Sequence, residues 1–200
     1  FALPVFKHPN AKTQINLLIK SIQNFPERCH VIGVYSLGKA QRLIKMLRNN
    51  GWHNTIYLHG SLVKICNLYE KFGIDLGDLE PATIQDKPEK PYDFYKGKLI
   101  LAPPSALADR WSRRFPDPIL GMASGWMTVK QRAKQRGINL PLILSDHADW
   151  NEILTTIEEV SPKEVWITHG AEEALIYECS KNNLTAKALS IIGYESDTDL

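Results

Sequence analysis

The chain has 200 residues, 44% of them hydrophobic, enough for one sizeable core or two small ones. A net charge of +2 is close to neutral, so a nucleic-acid footprint must come from clustered charge, and neither a membrane-length apolar run nor a signal peptide is present. Cys29, Cys66 and Cys179 are odd in number and widely spaced, with no Cys-x-x-Cys, which argues against a disulfide framework or a cysteine zinc site and fits a reducing cytoplasm.

Ile15, Leu17, Leu18, Ile19 and Ile22 predict an amphipathic helix that ends near Pro26. Cys29 to Tyr35 reads as an apolar strand. Ser36-Leu37-Gly38-Lys39 turns it into a helix carrying Leu43, Ile44 and Leu47, which Gly51 stops. Lys39, Arg42, Lys45 and Arg48 lie three apart along that helix, and from Arg42 onward they are expected to form a solvated face. Gly33 to Lys39 matches the glycine and lysine spacing of a Walker A loop. Ala40, however, stands where a Ser or Thr must meet magnesium, and Gly33 falls inside the strand. Backbone N–H groups of the turn, with Lys39 at a helix N-terminus, still offer a place for a substrate phosphate, which makes Ser36, Gly38 and Lys39 candidates.

Thr55 to Leu58 is the next strand, followed by His59-Gly60 and a helix with Leu62, Ile65, Leu68, Tyr69 and Phe72. His59 has no ligating residue near it in sequence and reads as a structural turn. Residues 80–96 are rich in Pro, Asp and Lys and predict an exposed loop. Lys98 to Ala102 is a short buried strand ending at Pro103-Pro104-Ser105.

A basic segment follows. Arg110, Arg113, Arg114, Lys130, Arg132, Lys134 and Arg136 face the single acid Asp117, with Trp111, Phe115 and Trp126 interleaved. Cations neutralise phosphates and aromatic rings stack on unpaired bases, but a solvated helix accounts equally well for 130–136. Ser124-Gly125, after the small apolar run Met122-Ala123, is either a tight turn or an N–H and hydroxyl pair aimed at an anion.

Beyond it, Pro141 to Leu144 is apolar and runs into Ser145-Asp146-His147-Ala148-Asp149-Trp150. Asp149 and Glu152 have capping-box spacing, Ile153, Leu154, Ile157 and Val160 have helical spacing, and Ser161-Pro162 ends the helix. Val165 to Thr168 is a second strand-like run, closed by His169-Gly170 and a helix through Leu175, Ile176 and Cys179. Two strands joined by one helix are expected to lie parallel, usually as neighbours. That brings His147 and His169 to the carboxyl ends of strands, a position suited to metal binding or proton transfer. Taken singly, each would be an ordinary turn histidine.

Ser145-Asp146-His147-Ala148-Asp149 and Thr168-His169-Gly170 resemble the last two histidine motifs of the β-CASP branch of the metallo-β-lactamase fold, zinc-dependent nucleases acting on DNA or RNA. Leu101-Ala102-Pro103-Pro104-Ser105-Ala106 and Ala123-Ser124-Gly125-Trp126-Met127 are more similar to the bacterial ligase-associated DNA exonuclease group. The similarity runs from Phe1-Ala2-Leu3-Pro4-Val5-Phe6 to the end of the chain. The family's His-x-His-x-Asp-His motif does not occur here, nor does the acidic residue it carries just before the segment resembling Phe1 to Pro4. A chain opening on Phe rather than Met is expected to have been cut from something longer.

The resemblance implies an α/β protein: a Rossmann-like parallel-sheet β-CASP domain over 12–137, between the end of a first metallo-β-lactamase segment (1–11) and a returning segment (138–200) of the αββα sandwich. Strand–helix alternation up to about Gly137 independently suits such a parallel sheet. The resemblance further implies hydrolysis of a phosphodiester by a metal-activated water between two Zn2+ ions. His169 would ligate zinc, and His147 would hydrogen-bond the phosphate and help protonate the leaving oxygen. That role is expected to need an orienting carboxylate upstream; Asp146 and Asp149 flank His147 as groups behind it, Asp149 being first a helix cap and only secondarily such a group. Gly38-Lys39-Ala40-Gln41 matches a family phrase near the cleft, and Ser124-Gly125 would lie beside the scissile phosphate.

One predicted zinc ligand is too few for a catalytic site, so the chain is expected to be inactive alone. The implied partners are a DNA or RNA substrate and a DNA ligase or helicase repair system, with no membrane, in the cytoplasm. Three alternatives stay open: a non-catalytic nucleic-acid-binding domain, an RNA-processing β-CASP ribonuclease, and a phosphate- or nucleotide-binding protein built on Gly38-Lys39.

Overall fold

The computed structural model describes residues 1–83, 91–115, 117–168 and 170–189. It divides into two compact units, one spanning His8–Asp146, the other combining Phe1–Lys7 with the chain from His147 on.

In the larger unit, α1 (Ala11–Asn24) starts where the Asn10 side chain accepts a bond from the Lys12 N–H, at 2.8 Å, and buries Ile15, Leu18 and Ile22 at helical spacing. Then come β1 (His30–Gly33), α2 (Lys39–Asn49), β2 (Ile56–Leu58), α3 (Gly60–Lys71), β3 (Leu79–Pro81), α4 (Pro91–Phe94), β4 (Leu99–Ala102), β5 (Ile119–Ala123), α5 (Lys130–Gln135) and β6 (Leu140–Leu142). All six strands form one parallel sheet in the order β3-β2-β4-β1-β5-β6.

The central strands β1 and β4 are buried along their whole length, as a parallel sheet covered on both faces requires. Successive side chains go to opposite layers. Ile32, Leu99, Leu101, Ile56 and Leu58 join one aliphatic core with α1, α2 and α3, while Val31, Ile100 and Tyr57 join a second with Tyr95, Leu107 and Phe115. Gly33 is the last residue of β1, and a Cβ there would come within 2.6 Å of Leu107 Cδ1 and 3.4 Å of the Pro104 backbone. That close approach, rather than phosphate binding, accounts for the glycine. Among the described residues no helix is long and apolar enough to cross a membrane.

Two expectations change. Residues 80–96 are not a continuous exposed loop. Glu80 and Pro81 belong to the edge strand β3, where a missing N–H is tolerated, Pro91–Phe94 forms a helical turn, and Tyr95 is drawn into the core. Residues 84–90 lie outside the described residues. The second change concerns β6, which does not pair with the strand after the next helix. It pairs with β5, Gly121 opposite Leu140, because Leu140 and Leu142 complete the aliphatic layer of the large sheet.

In the smaller unit, α6 (Trp150–Val160) begins at Asp149. The Asp149 carboxylate accepts from the Glu152 N–H at 2.9 Å, and the Glu152 carboxylate accepts from the Asp149 N–H at 2.8 Å. This is the capping box read from the spacing. Ser161, in the left-handed region at φ 47°, ends the helix. The parallel pair is β7 (Glu164–Ile167) with β8 (Thr185–Ala188), connected through α7 (Glu172–Lys181). The expected strand–helix–strand unit therefore exists one element later in the chain. Trp150, Ile167, Leu175 and Cys179 form its core.

Candidate functional site

The sheet order locates the site before any side chain is considered. From β1 the chain crosses toward β2, and from β5 it moves the other way to β6. Connections that diverge from adjacent parallel strands leave a crevice at their carboxyl ends. The ends of β1 and β5, with Gly33 opposite Met122, form one such place, and the ends of β2 and β4 form another.

Ser36 and Gly38 stand in the loop leaving β1, and Lys39 opens α2. Gly38 sits at φ +78°, a conformation that favours glycine. Its N–H donates to Gln41 Oε1 at 2.8 Å, and Gln41 Nε2 donates to the Ser36 carbonyl at 3.0 Å. The Lys39 and Ala40 N–H groups donate to the carbonyls of Leu37 and Tyr35, each at 3.0 Å. Three successive N–H groups are thus spent inside the turn, so the Lys39 side chain is what remains to meet an anion. That side chain is 8% exposed, with Nζ 3.6 Å from Asp146 Oδ2 and 5.2 Å from the Tyr35 ring centroid.

Ser124 and Gly125 stand in the loop leaving β5, both buried. Ser124 Oγ accepts from the Trp126 N–H at 3.3 Å, and the Gly125 carbonyl accepts from Thr128 Oγ1 at 2.8 Å, so the pair opens a short 3-10 turn. That turn presents Trp126, 40% exposed, with the Arg132 guanidinium 3.9 Å above its ring. From there α5 carries Lys130, Arg132 and Lys134, and Arg136 follows it, all on exposed positions, and among the described residues no carboxylate pairs with any of them. Asp117, the acid of the basic segment, is held by Arg28 at 2.9 Å.

Not every member of that segment faces outward. Phe115 is 1% exposed in the core beside Tyr95, which removes it as a stacking platform. Trp111 packs edge-on against His59 with ring centroids 4.7 Å apart. His59 caps α3, its Nδ1 accepting from the Ser61 N–H at 3.1 Å. Burial, then the charge of Arg114, lowers its pKa. This is the structural turn role expected for it.

On the expected solvated face Arg42 is exposed and Arg48 is not. Arg42 Nη1 donates to the Ser145 carbonyl at 2.6 Å and to Asp146 Oδ1 at 2.7 Å. Arg48 is buried and donates to the carbonyls of Leu76, Trp52, Asn54 and Asp78 at 2.9, 3.0, 2.7 and 2.7 Å. Its position four residues after Ile44, on the buried stripe, is the signal that three-residue spacing of cations concealed. Asp146 is accordingly a partner of α2. Asp149 is a buried helix cap. His147 is exposed, with its ring 5.9 Å from that of Phe1. His169 lies outside the described residues. Tyr35, exposed at the end of β1, was missed by the sequence reading, which took it only as strand.

Zinc requires at least three protein ligands in a catalytic site. Among the described residues no group of three His, Cys, Asp or Glu side chains gathers to hold a metal ion, so these residues do not fit a zinc centre by themselves.

Fold and site together define a parallel-sheet α/β protein with a cationic, aromatic rim at its strand ends. Residues 141–181 match the family described as "Zn-dependent metallo-hydrolase RNA specificity domain", a β-CASP-associated domain. A stretch of 138 residues, 68% of the chain, is 29% identical to a probable DNA ligase of Opitutus terrae and covers 12% of it. A solved protein of unknown function from Enterococcus faecalis V583 superposes with a TM-score of 0.51 at 13% identity, over 94% of this chain and 47% of that one, a likeness of fold alone. The chain spans less than half the length of either protein.

Proposed function

We propose that this chain is part of a zinc-dependent β-CASP-type DNA exonuclease, and that the rim at the ends of β1 and β5 holds the nucleic acid. The observation that carries the reading is the meeting, at one divergence point of the sheet, of the Lys39 loop and the Ser124-Gly125 loop, continued by the exposed cations of α5. The match of 141–181 to a metallo-hydrolase family supports it. So does the likeness to a probable DNA ligase, which favours DNA where the family's description mentions RNA.

In this reading 12–137 is the β-CASP domain, between a first segment (1–11) and a returning segment (138–200) of a metallo-β-lactamase sandwich. Lys39 neutralises a substrate phosphate, and Ser124 and Gly125 shape the turn beside it. His147 hydrogen-bonds the reacting phosphate and gives a proton to the leaving oxygen. Asp146 and Asp149 fix the segment on either side of it, and His169 is the residue given to zinc. The remaining zinc ligands must come from outside the described residues. A ligase or helicase repair system is the proposed setting.

The test is titration of the chain with a labelled single-stranded DNA and the same sequence as RNA. Binding should weaken steeply between about 50 and about 200 mM salt, as phosphate contacts release counterions. The double variant Lys130→Glu, Lys134→Glu should weaken both the binding and its salt dependence. Tighter binding of the RNA would favour the ribonuclease alternative. Absence of salt-dependent binding to either strand would remove the nucleic-acid reading. Elemental analysis should find much less than one zinc per chain, and tight stoichiometric zinc would show that the ligand set has been misjudged.

A further inference from the structure

Two exposed aromatic rings flank the divergence point, and each is backed by a cation. Tyr35 lies two residues past Gly33, the last residue of β1. It is 55% exposed, with Lys39 Nζ 5.2 Å from its ring centroid. Trp126 lies four residues past Met122, the residue of β5 paired with Gly33. It is 40% exposed, with Arg132 3.9 Å from its ring centroid. Neighbouring strands are about 4.8 Å apart, so the two loops leave the sheet side by side. A cation against one face of a ring places positive charge where the phosphates of a stacked strand would run.

The geometry points to Tyr35 and Trp126 as paired stacking platforms that take two nearby unpaired bases of a single strand, with Lys39 and Arg132 neutralising the adjoining phosphates. The inference rests on the nucleic-acid reading above and adds to it a requirement: the strand must be unpaired where it crosses the rim. A duplex keeps its base faces inside the stack and cannot use either ring. Trp166 shows the contrast. It is 61% exposed beneath Lys187, at 5.1 Å, but one carboxylate, Glu164, both accepts from its Nε1 and holds Lys187 at 2.8 Å, a tighter pairing than the 3.6 Å between Asp146 and Lys39.

The experiment uses the whole chain and three labelled probes: a single-stranded DNA of about a dozen nucleotides, a strand of equal length built from abasic sugars, and the DNA as a duplex. The unaltered chain should prefer the base-containing single strand. Tyr35→Leu and Trp126→Leu should each weaken that binding about tenfold, in line with the contribution of one stacked base, and leave the abasic strand unaffected. Tyr35→Phe and Trp126→Phe should retain most of the preference, and Trp166→Leu should change nothing. Circular dichroism of each variant confirms that the fold is kept. Binding that is intact in both Leu variants, or lost equally on abasic and ordinary strands, would overturn the platforms and leave the nucleic-acid reading standing, with a protein partner as the better use of the two rings. No binding to any probe would overturn both.

Discussion

The two sheets of this chain are built on different terms. In the six-stranded sheet, β1 and β4 expose nothing, and their side chains alternate between two separate cores. In the two-stranded sheet, β8 is largely exposed and β7 buries only Ile167 fully. A pair of strands leaning on two helices removes far less apolar surface from water than a sheet covered on both sides, and small sheets are marginal for that reason. The difference teaches where the rigidity lies. Lys39 and Ser124 project from the well-buried sheet, whereas His147 starts the unit with the thinner core.

The sharpest way to break this comparison is to truncate equivalent strand residues. Leu101→Ala in β4 should cost about 2–5 kcal/mol, measured by denaturant unfolding, because it opens a cavity in a closed aliphatic layer. Val165→Ala in β7, smaller and only partly buried, should cost about 1 kcal/mol, below that range. Equal costs would mean that the two cores are equally well packed.

Acid should find the larger unit through His30. Burial, then the charge of Arg28, pushes this imidazole down to about 4 from its ordinary 6.5, so the folded chain stays unprotonated where the unfolded chain binds a proton. The stability is therefore full above pH 6.5 and falls as pH drops through the window toward 4, by on the order of 3 kcal/mol at most. Thermal melts from neutral pH down to about pH 4 should show the slope. His30→Leu should flatten it, whatever the variant does to stability at neutral pH.

Smaller effects sharpen the picture within the larger unit. Arg48→Lys keeps the charge but loses the planar fork that reaches four carbonyls, and should cost about 1–3 kcal/mol by chemical denaturation. Asp146→Asn should cost about 1 kcal/mol or less, since its carboxylate is partly exposed. A double-mutant cycle with Arg42→Ala should return most of that as coupling.

Much of this was legible in the sequence, because local patterns wrote it. The α1 stripe from Ile15 to Ile22, the capping box at Asp149 and Glu152, the Gly51 stop and the structural turn at His59 all depend on residues within a few positions of one another. What failed depended on distant partners. Spacing could not say that β6 would choose β5, since that choice is made by an aliphatic layer gathered from across the unit. Nor could it say that Arg48 would be consumed by loop carbonyls, or Phe115 by the core. At the candidate site, Lys39 and Ser124 were named from motif and resemblance. Tyr35 was not, because a tyrosine at the end of a strand looks like strand until the sheet order shows what it stands beside.

Arg48 has a wider consequence. Its four acceptors belong to the segments entering β2 and β3, so one guanidinium stitches shut the amino-terminal margin of this side of the sheet. At the opposite margin, where Tyr35, Lys39 and Trp126 emerge, the links are exposed ones: Arg42 reaches the Ser145 carbonyl and Asp146. If that margin is where the proposed ligand binds, changes at the sewn margin should be felt mainly as melting temperature and changes at the other mainly as binding.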